Sequence, residues 1–208
     1  VKIVKAFSNT KDNTFCLQAC IQSVLNFYFP TKTFSESEVS KNTGYHPKYF
    51  SWSPQAVVWL NSLGLNVKLY SPFNYNRLVN GGLAYLKEFK KDIYDLEEKR
   101  GEYKFLPEIQ KAAKEMVDRK LWIDQLMKIE DLENQLSKQN TLCIGKTIYE
   151  WLDGHYIAGT SHFIVVVKKY SSGIWLIQDP GLPMVGNRKV NQSINNHSIL
   201  GDIILVKN

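Results

Sequence analysis

Cys16 carries the first chemical signal in the sequence. It stands where Asp12-Asn13-Thr14-Phe15 gives way to an apolar run of helical spacing, Cys20, Ile21, Val24, Leu25 and Tyr28. A thiol at a helix start faces unpaired backbone N–H groups and the positive end of the helix dipole, which favour thiolate over thiol. A cysteine nucleophile needs that placement and a base. His162 opens the strand-like run Phe163-Ile164-Val165-Val166-Val167, and Asp179 follows the next such run, Ile174-Trp175-Leu176-Ile177, just before Pro180. An early cysteine, a late histidine and an acidic residue one hairpin further on are the parts of a nucleophile, base and orienter.

These three residues depend on the elements that carry them. The C-terminal third is rich in strand patterns, about 141–148, 162–170, 174–179 and 202–207, with Ser171-Ser172-Gly173 joining the middle pair as a hairpin. That hairpin sets His162, near the start of one strand, beside Asp179, near the end of its antiparallel neighbour. The N-terminal third reads as helical. The Cys16 helix stops before Pro30, Ser35-x-x-Glu38 is a capping box for a helix that Gly44 ends, and Ser53-Pro54 starts another that reaches Gly64. Leu65-Asn66-Val67-Lys68-Leu69 alternates as a first strand.

Between these parts the chain turns charged and helical, from Gly81-Gly82 to about Gln139. Leu83, Leu86, Phe89, Ile93 and Leu96 form one apolar stripe; Ile109, Ala112, Ala113, Met116, Val117 and Leu121 form a second; Ile129, Leu132 and Leu136 form a third. The first two read as an insertion over about 81–125. Tyr45, Tyr49, Phe50 and Trp52 precede the Ser53 helix and are candidates for a substrate groove or for packing.

Together, Cys16-Leu17-Gln18-Ala19-Cys20-Ile21 on its helix, Ser161-His162-Phe163-Ile164-Val165 and the Gln178-Asp179-Pro180 corner resemble the C39 and C39-like cysteine peptidases, which include the bacteriocin leader-cleaving peptidase domains. The resemblance implies an α+β papain-like fold, with a helical lobe against a mainly antiparallel sheet. It also implies a Cys16-His162-Asp179 triad that cleaves a peptide or other amide bond without a cofactor. Members of that family usually carry a glutamine six residues before the nucleophile, whose amide completes the oxyanion hole. Here that position is Thr10, and the neighbouring amides are Asn9 and Asn13. Leu17 likewise stands where relatives often have glycine. An acyltransferase using the same triad, or a binding module that has kept the fold and lost catalysis, are the alternatives.

Each candidate has a plainer reading beside it. Cys20 lies one turn deeper on the apolar face and reads as core packing. His46, His155 and His197 read as ordinary surface or satisfied histidines, and Asp179-Pro180-Gly181 is also a turn signal, which is compatible with an orienting role. Zinc is not expected, because C-x₃-C lacks a second paired cluster.

The 208 residues fit one domain spanning 1–208, and no stretch nears the roughly twenty apolar residues of a membrane helix. Val1-Lys2-Ile3-Val4-Lys5 is too poor in apolar residues for a signal core. Three cysteines make no stapled framework, so a soluble protein of a reducing, cytoplasmic compartment is expected. The net charge of +6 comes mainly from lysines dispersed among acidic residues, with Arg77, Arg100, Arg119 and Arg188 the only arginines. No nucleic-acid site is expected from that pattern. The expected partner is a peptide or amide substrate.

Overall fold

The structure is a computed structural model that describes residues 4–10, 13–91, 93–138, 140–148, 161–171, 173–181, 186–190 and 199–208. Helices α1 (Cys16–Tyr28), α2 (Glu36–Thr43) and α3 (Ser53–Ser62) come first, followed by strand β1 (Asn66–Tyr70). Helices α4 (Tyr75–Phe89), α5 (Tyr94–Lys99) and α6 (Leu106–Asp118), strand β2 (Trp122–Ile123) and α7 (Ile129–Ser137) lead to the strands β3 (Thr141–Ile148), β4 (Ser161–Lys169), β5 (Trp175–Asp179), β6 (Gly186–Val190) and β7 (Ile199–Lys207).

The strands form one sheet in the order β2-β1-β7-β3-β4-β5-β6, antiparallel except for the β1–β2 pair. β4 lies inside it and is apolar on both faces, as a doubly covered strand must be. Phe163, Val165 and Val167 join the core beneath α1 and α3, while Ile164 and Val166 join a second core with Leu132 and Leu136 of α7. This is the expected α+β arrangement of helices on a mainly antiparallel sheet.

Local chemistry explains the helix bounds. Ser35 Oγ accepts from Glu38 N at 3.1 Å, and Gly44 closes α2 in the left-handed region. α1 is buried from Cys16 to Leu25 and packs on β4 and β3, so the helix that begins with the thiol rests directly on the strand that carries His162.

The middle region departs from the sequence reading in two ways. Its helical part opens at Tyr75, with Asn74 Oδ1 accepting from Arg77 N at 2.9 Å as the cap. Gly81 and Gly82 therefore lie inside α4. Gly82 (φ 49, ψ −127) kinks the helix and rotates its inward face, so Tyr75 and Leu78 are buried before it and Tyr85 and Leu86 after it. The anticipated stripe breaks up as a result: Leu86 is buried, while Leu83, Phe89, Ile93 and Leu96 are exposed. Gln110 Nε2 seals the kink from α6 by donating to Leu78 O and Val79 O at 3.0 and 3.2 Å. Strands β2 and β6 are additions that the alternation of the sequence did not announce.

Gly82→Ala tests this kink. A Cβ there would meet Gln110 Nε2 at 3.2 Å on a backbone conformation that side chains rarely adopt. Urea unfolding is expected to show a loss of about 1–3 kcal/mol. Gly64→Ala, also at positive φ but with nothing within 4 Å of its Cβ, is expected to cost less.

Candidate active site

Cys16 is the first residue of α1. Phe15 at the cap position makes no side-chain cap bond, and the first turn carries no acidic residue. The N–H groups of that turn have no intrahelical acceptors, so they remain directed at the thiol end of the helix. Asn9 organises the approach to this turn. Its Oδ1 accepts from Thr10 N at 2.9 Å and from Phe15 N at 2.8 Å, and its Nδ2 donates to Asn13 Oδ1 at 2.5 Å. Asn13 adopts φ 61, a conformation asparagine tolerates better than most residues, and its N–H closes a turn onto Thr10 O at 2.9 Å. One amide thus spans the loop, within hydrogen-bond reach of the residue directly before Cys16.

The hairpin delivers the other two groups. β4 and β5 pair through Val165↔Gln178 and Val166↔Ile177, and Tyr170 and Gly173 close the turn between them. His162 Nε2 and Asp179 Oδ1 come to 2.8 Å, with the two residues only 1% and 2% exposed. The same Oδ1 accepts from Gly181 N at 2.8 Å, and a Cβ on Gly181 would lie 3.0 Å from it. The Asp-Pro-Gly corner therefore holds the carboxylate with its own backbone.

Burial by itself would lower the His162 pKa. Hydrogen bonds to Asp179 and to the Cys16 thiol, with the charges of both, outweigh it and raise the value to about 9. Burial pushes Asp179 up, but the hydrogen bond and charge of His162, the Gly181 N–H and the charge of Arg188 more than reverse this and hold it below its ordinary range. The other thiols differ in kind. Burial, then proximity to Cys16, Asp179 and Cys143, drives the Cys20 thiol well above its usual value, and burial does the same to Cys143.

Three links went unnoticed in the sequence. Arg188 Nη1 lies 3.4 Å from Asp179 Oδ2. Ser23 of α1 reaches Gln178 Oε1 of β5 at 3.1 Å, and Asn9 N donates to Pro180 O at 2.8 Å. The last two fasten the helix that begins with Cys16, and the loop before it, to the strand that ends in Asp179. No local pattern marks any of them, since the partners lie up to 171 positions apart, as with Asn9 and Pro180.

The four aromatic groove candidates separate. Tyr45 reaches the nucleophile loop, its hydroxyl 2.9 Å from Thr14 Oγ1 and its ring edge-on to Phe15. Tyr49 packs on Phe105 of the middle region, Phe50 is exposed, and Trp52 packs on Phe73. His46 stacks on Phe105, away from the thiol, and His155 and His197 lie outside the described residues. Among the described residues no three or more His, Cys, Asp or Glu side chains gather as a metal would require, and no helix is long and apolar enough to cross a membrane.

With this geometry in hand, comparison with solved structures shows what shares the fold. The peptidase domain of Streptococcus ComA, a bi-functional ABC transporter involved in a quorum-sensing pathway, superposes with a TM-score of 0.52 at 11% identity, covering 97% of each chain. A double-glycine-motif protease from an AMS/PCAT transporter, solved with its leader peptide, gives a TM-score of 0.50 at 13% identity over 99% of this chain and 93% of that one. No protein-family model matches the sequence, and no curated protein does. The chain has the fold of these two peptidase domains.

Two outcomes follow. Limiting iodoacetamide near neutral pH is expected to modify Cys16 ahead of Cys20 and Cys143, checked by peptide mass mapping; first labelling at either buried thiol would remove Cys16 as the reactive cysteine. The second concerns stability. His162 titrates near 9 when folded against 6.5 ordinarily, so its contribution is complete below about 6.5 and is lost as pH rises through about 9. The stability difference between the wild type and His162→Gln, from denaturant unfolding, is expected to shrink between about pH 6 and about pH 10.

Proposed function

We propose that the protein is a C39-like cysteine peptidase, or a hydrolase of a closely similar amide bond, and that Cys16, His162 and Asp179 form its catalytic triad. The observation that supports this most is the buried 2.8 Å contact of His162 Nε2 with Asp179 Oδ1, on a ring whose protonated form the Cys16 thiol, at a helix start, also favours. With Nε2 engaged by Asp179, Nδ1 is the nitrogen that takes the thiol proton. The thiolate attacks the carbonyl carbon, and the electron pair of the C=O bond moves onto oxygen. Collapse of this intermediate breaks the C–N bond, and the His162 imidazolium gives its proton to the departing amine. Water then attacks the thioester with His162 as base, and the thiol is regenerated. Asp179 holds the ring in the tautomer and orientation that both transfers need.

The oxyanion is received by the Cys16 N–H and a side-chain amide. Asn9 fits that place best, because its amide is fastened to Phe15 N, directly before Cys16, and carries a donor, Nδ2, that bonds Asn13. Asn13, bonded to it, is the other candidate. A threonine at the usual glutamine position favours a second reading, a binding module that has kept the fold without catalysis, and the Asn9 arrangement speaks against it.

Double-glycine leader peptides are the substrate class to test first, by analogy with the proteases that share the fold. In a peptide-library assay the wild type is expected to cleave and Cys16→Ala to be inert; equal product from both would reject the assignment. Asn9→Asp keeps the oxygen that accepts from Thr10 N and Phe15 N but loses the amide donor. It is expected to lower kcat about a hundred- to a thousand-fold with little change in folding, whereas Asn13→Ala carries that loss if Asn13 is the donor.

A further inference from the structure

We propose that Arg188 is a positioning residue for this set: its guanidinium is the permanent counter-charge of Asp179, keeping the carboxylate ionised and its Oδ1 on His162 after the ring has released its proton. This rests on the hydrolytic reading above. The pairing of β5 with β6 makes the contact possible. Asp179 stands opposite Gly186, and Ile177 opposite Arg188, so these four positions share one face of the sheet. Gly186 has no side chain, and Arg188 reaches diagonally across it to bring Nη1 to 3.4 Å from Asp179 Oδ2. Both side chains are largely covered, at 19% and 3% exposure.

The charge balance of the catalytic cycle gives this contact a task. The ionisable groups that act on Asp179 or are acted on by it are His162 from β4, Arg188 from β6 and Cys20 from α1, with Cys16 of α1 acting on His162. His162 is a cation only while it holds the thiol proton, and a thiol is neutral or negative. Once the imidazolium protonates the leaving amine, a carboxylate this buried would face no cation but Arg188 among the described residues. An unpaired buried carboxylate takes up a proton instead. A protonated Asp179 could no longer accept from Nε2–H, and the ring would lose the tautomer that its Nδ1 needs to act as base for the incoming water. Arg188 prevents this, because a guanidinium keeps its charge throughout the working range. His162 and Gly181 N hold one carboxylate oxygen and Arg188 the other, which also stops the group from rotating.

The test is the pH dependence of Cys16 alkylation by iodoacetamide in the wild type, Arg188→Met, Arg188→Gln and Arg188→Lys, and in Arg188→Met combined with Asp179→Asn. Loss of the positive charge is expected to move the profile upward by roughly half a pH unit or more in both neutral variants. Arg188→Lys is expected to restore most of it. In the Asp179→Asn background the same substitution is expected to move nothing further, because Arg188 acts through that carboxylate. Neutral variants whose profiles superpose on the wild type would overturn the proposal, as would a shift that persists without Asp179. His162→Ala separates this outcome from failure of the underlying reading. A wild-type profile that His162→Ala leaves unchanged removes the triad itself, whereas a profile that responds to His162 but not to Arg188 removes only the role of Arg188.

Discussion

A hydrogen bond between two ionisable groups in the interior, His162 to Asp179, is the constraint around which the described structure is organised. Neither group would keep its charge at that depth alone, since desolvation opposes the imidazolium and the carboxylate alike. They coexist because each is the other's partner and because further groups complete the set: Gly181 N on one oxygen, Arg188 near the other, and the Cys16 thiol, which also favours the imidazolium. A paired buried charge contributes little net stability compared with apolar packing, so its presence in an otherwise hydrophobic sheet is better explained by chemistry than by folding. Cys20 and Cys143 make the contrast. They are as deeply buried, and their thiols are held neutral.

Cys16 and this pair arrive from opposite ends of the chain, so their separation depends on how α1 is held to the sheet. Hydrophobic packing of α1 on β4 sets the general placement, through Cys20, Ile21 and Val24 against Phe163, Val165 and Val167. Apolar surfaces slide more easily than hydrogen-bonded ones, because dispersion is not directional. The polar fasteners at the boundary remove that freedom. Ser23 donates to Ala19 O at 2.9 Å and meets Gln178 at 3.1 Å. The one hydroxyl is thus shared between an acceptor on its own helix and an acceptor, Gln178 Oε1, on β5. Asn9 N to Pro180 O makes a second crossing at the mouth of the site. Translation of α1 along the sheet would break both.

The sequence disclosed the parts that local pattern controls and concealed those that depend on distant partners. Cys16 was legible because an apolar helical period begins just after it, and the relation of His162 to Asp179 because two β-rich runs share a short turn. The α2 cap at Ser35 and its Gly44 stop were legible for the same reason. Arg188 was not, because Gly186-Asn187-Arg188-Lys189-Val190 lacks the alternation of a half-buried strand. It is a strand because β5 offers it an edge. β2 is two residues long and owes its existence to parallel pairing with β1. The stripe from Leu83 to Leu96 misled because it assumed a continuous helical phase, which the Gly82 kink resets and the break between Phe89 and Tyr94 resets again.

The middle helices also bear on the site, through the loop between α2 and α3. Phe50 N donates to Glu102 at 3.1 Å, Tyr49 meets Phe105 edge-on, and His46 stacks on the same ring while its Nε2 lies 3.4 Å from Glu108. Those contacts hold residues 46–50 to the start of α6. At the next residue, Tyr45, the loop turns to the other side and bonds Thr14. A single residue, Phe15, then separates that anchor at Thr14 from Cys16. Ser51 adds a parallel tie, its hydroxyl donating to Gln18 Oε1 at 3.1 Å while Gln18 Nε2 donates to Thr43. Behind the loop, Glu97 is buried with Lys90 at 2.6 Å and the Tyr103 hydroxyl on the same oxygen, so the ground on which Glu102 stands is itself cross-linked. The middle helices are therefore continuous, through directional contacts, with the first turn of α1, and displacement of α6 would be transmitted to the residues that immediately precede the thiol.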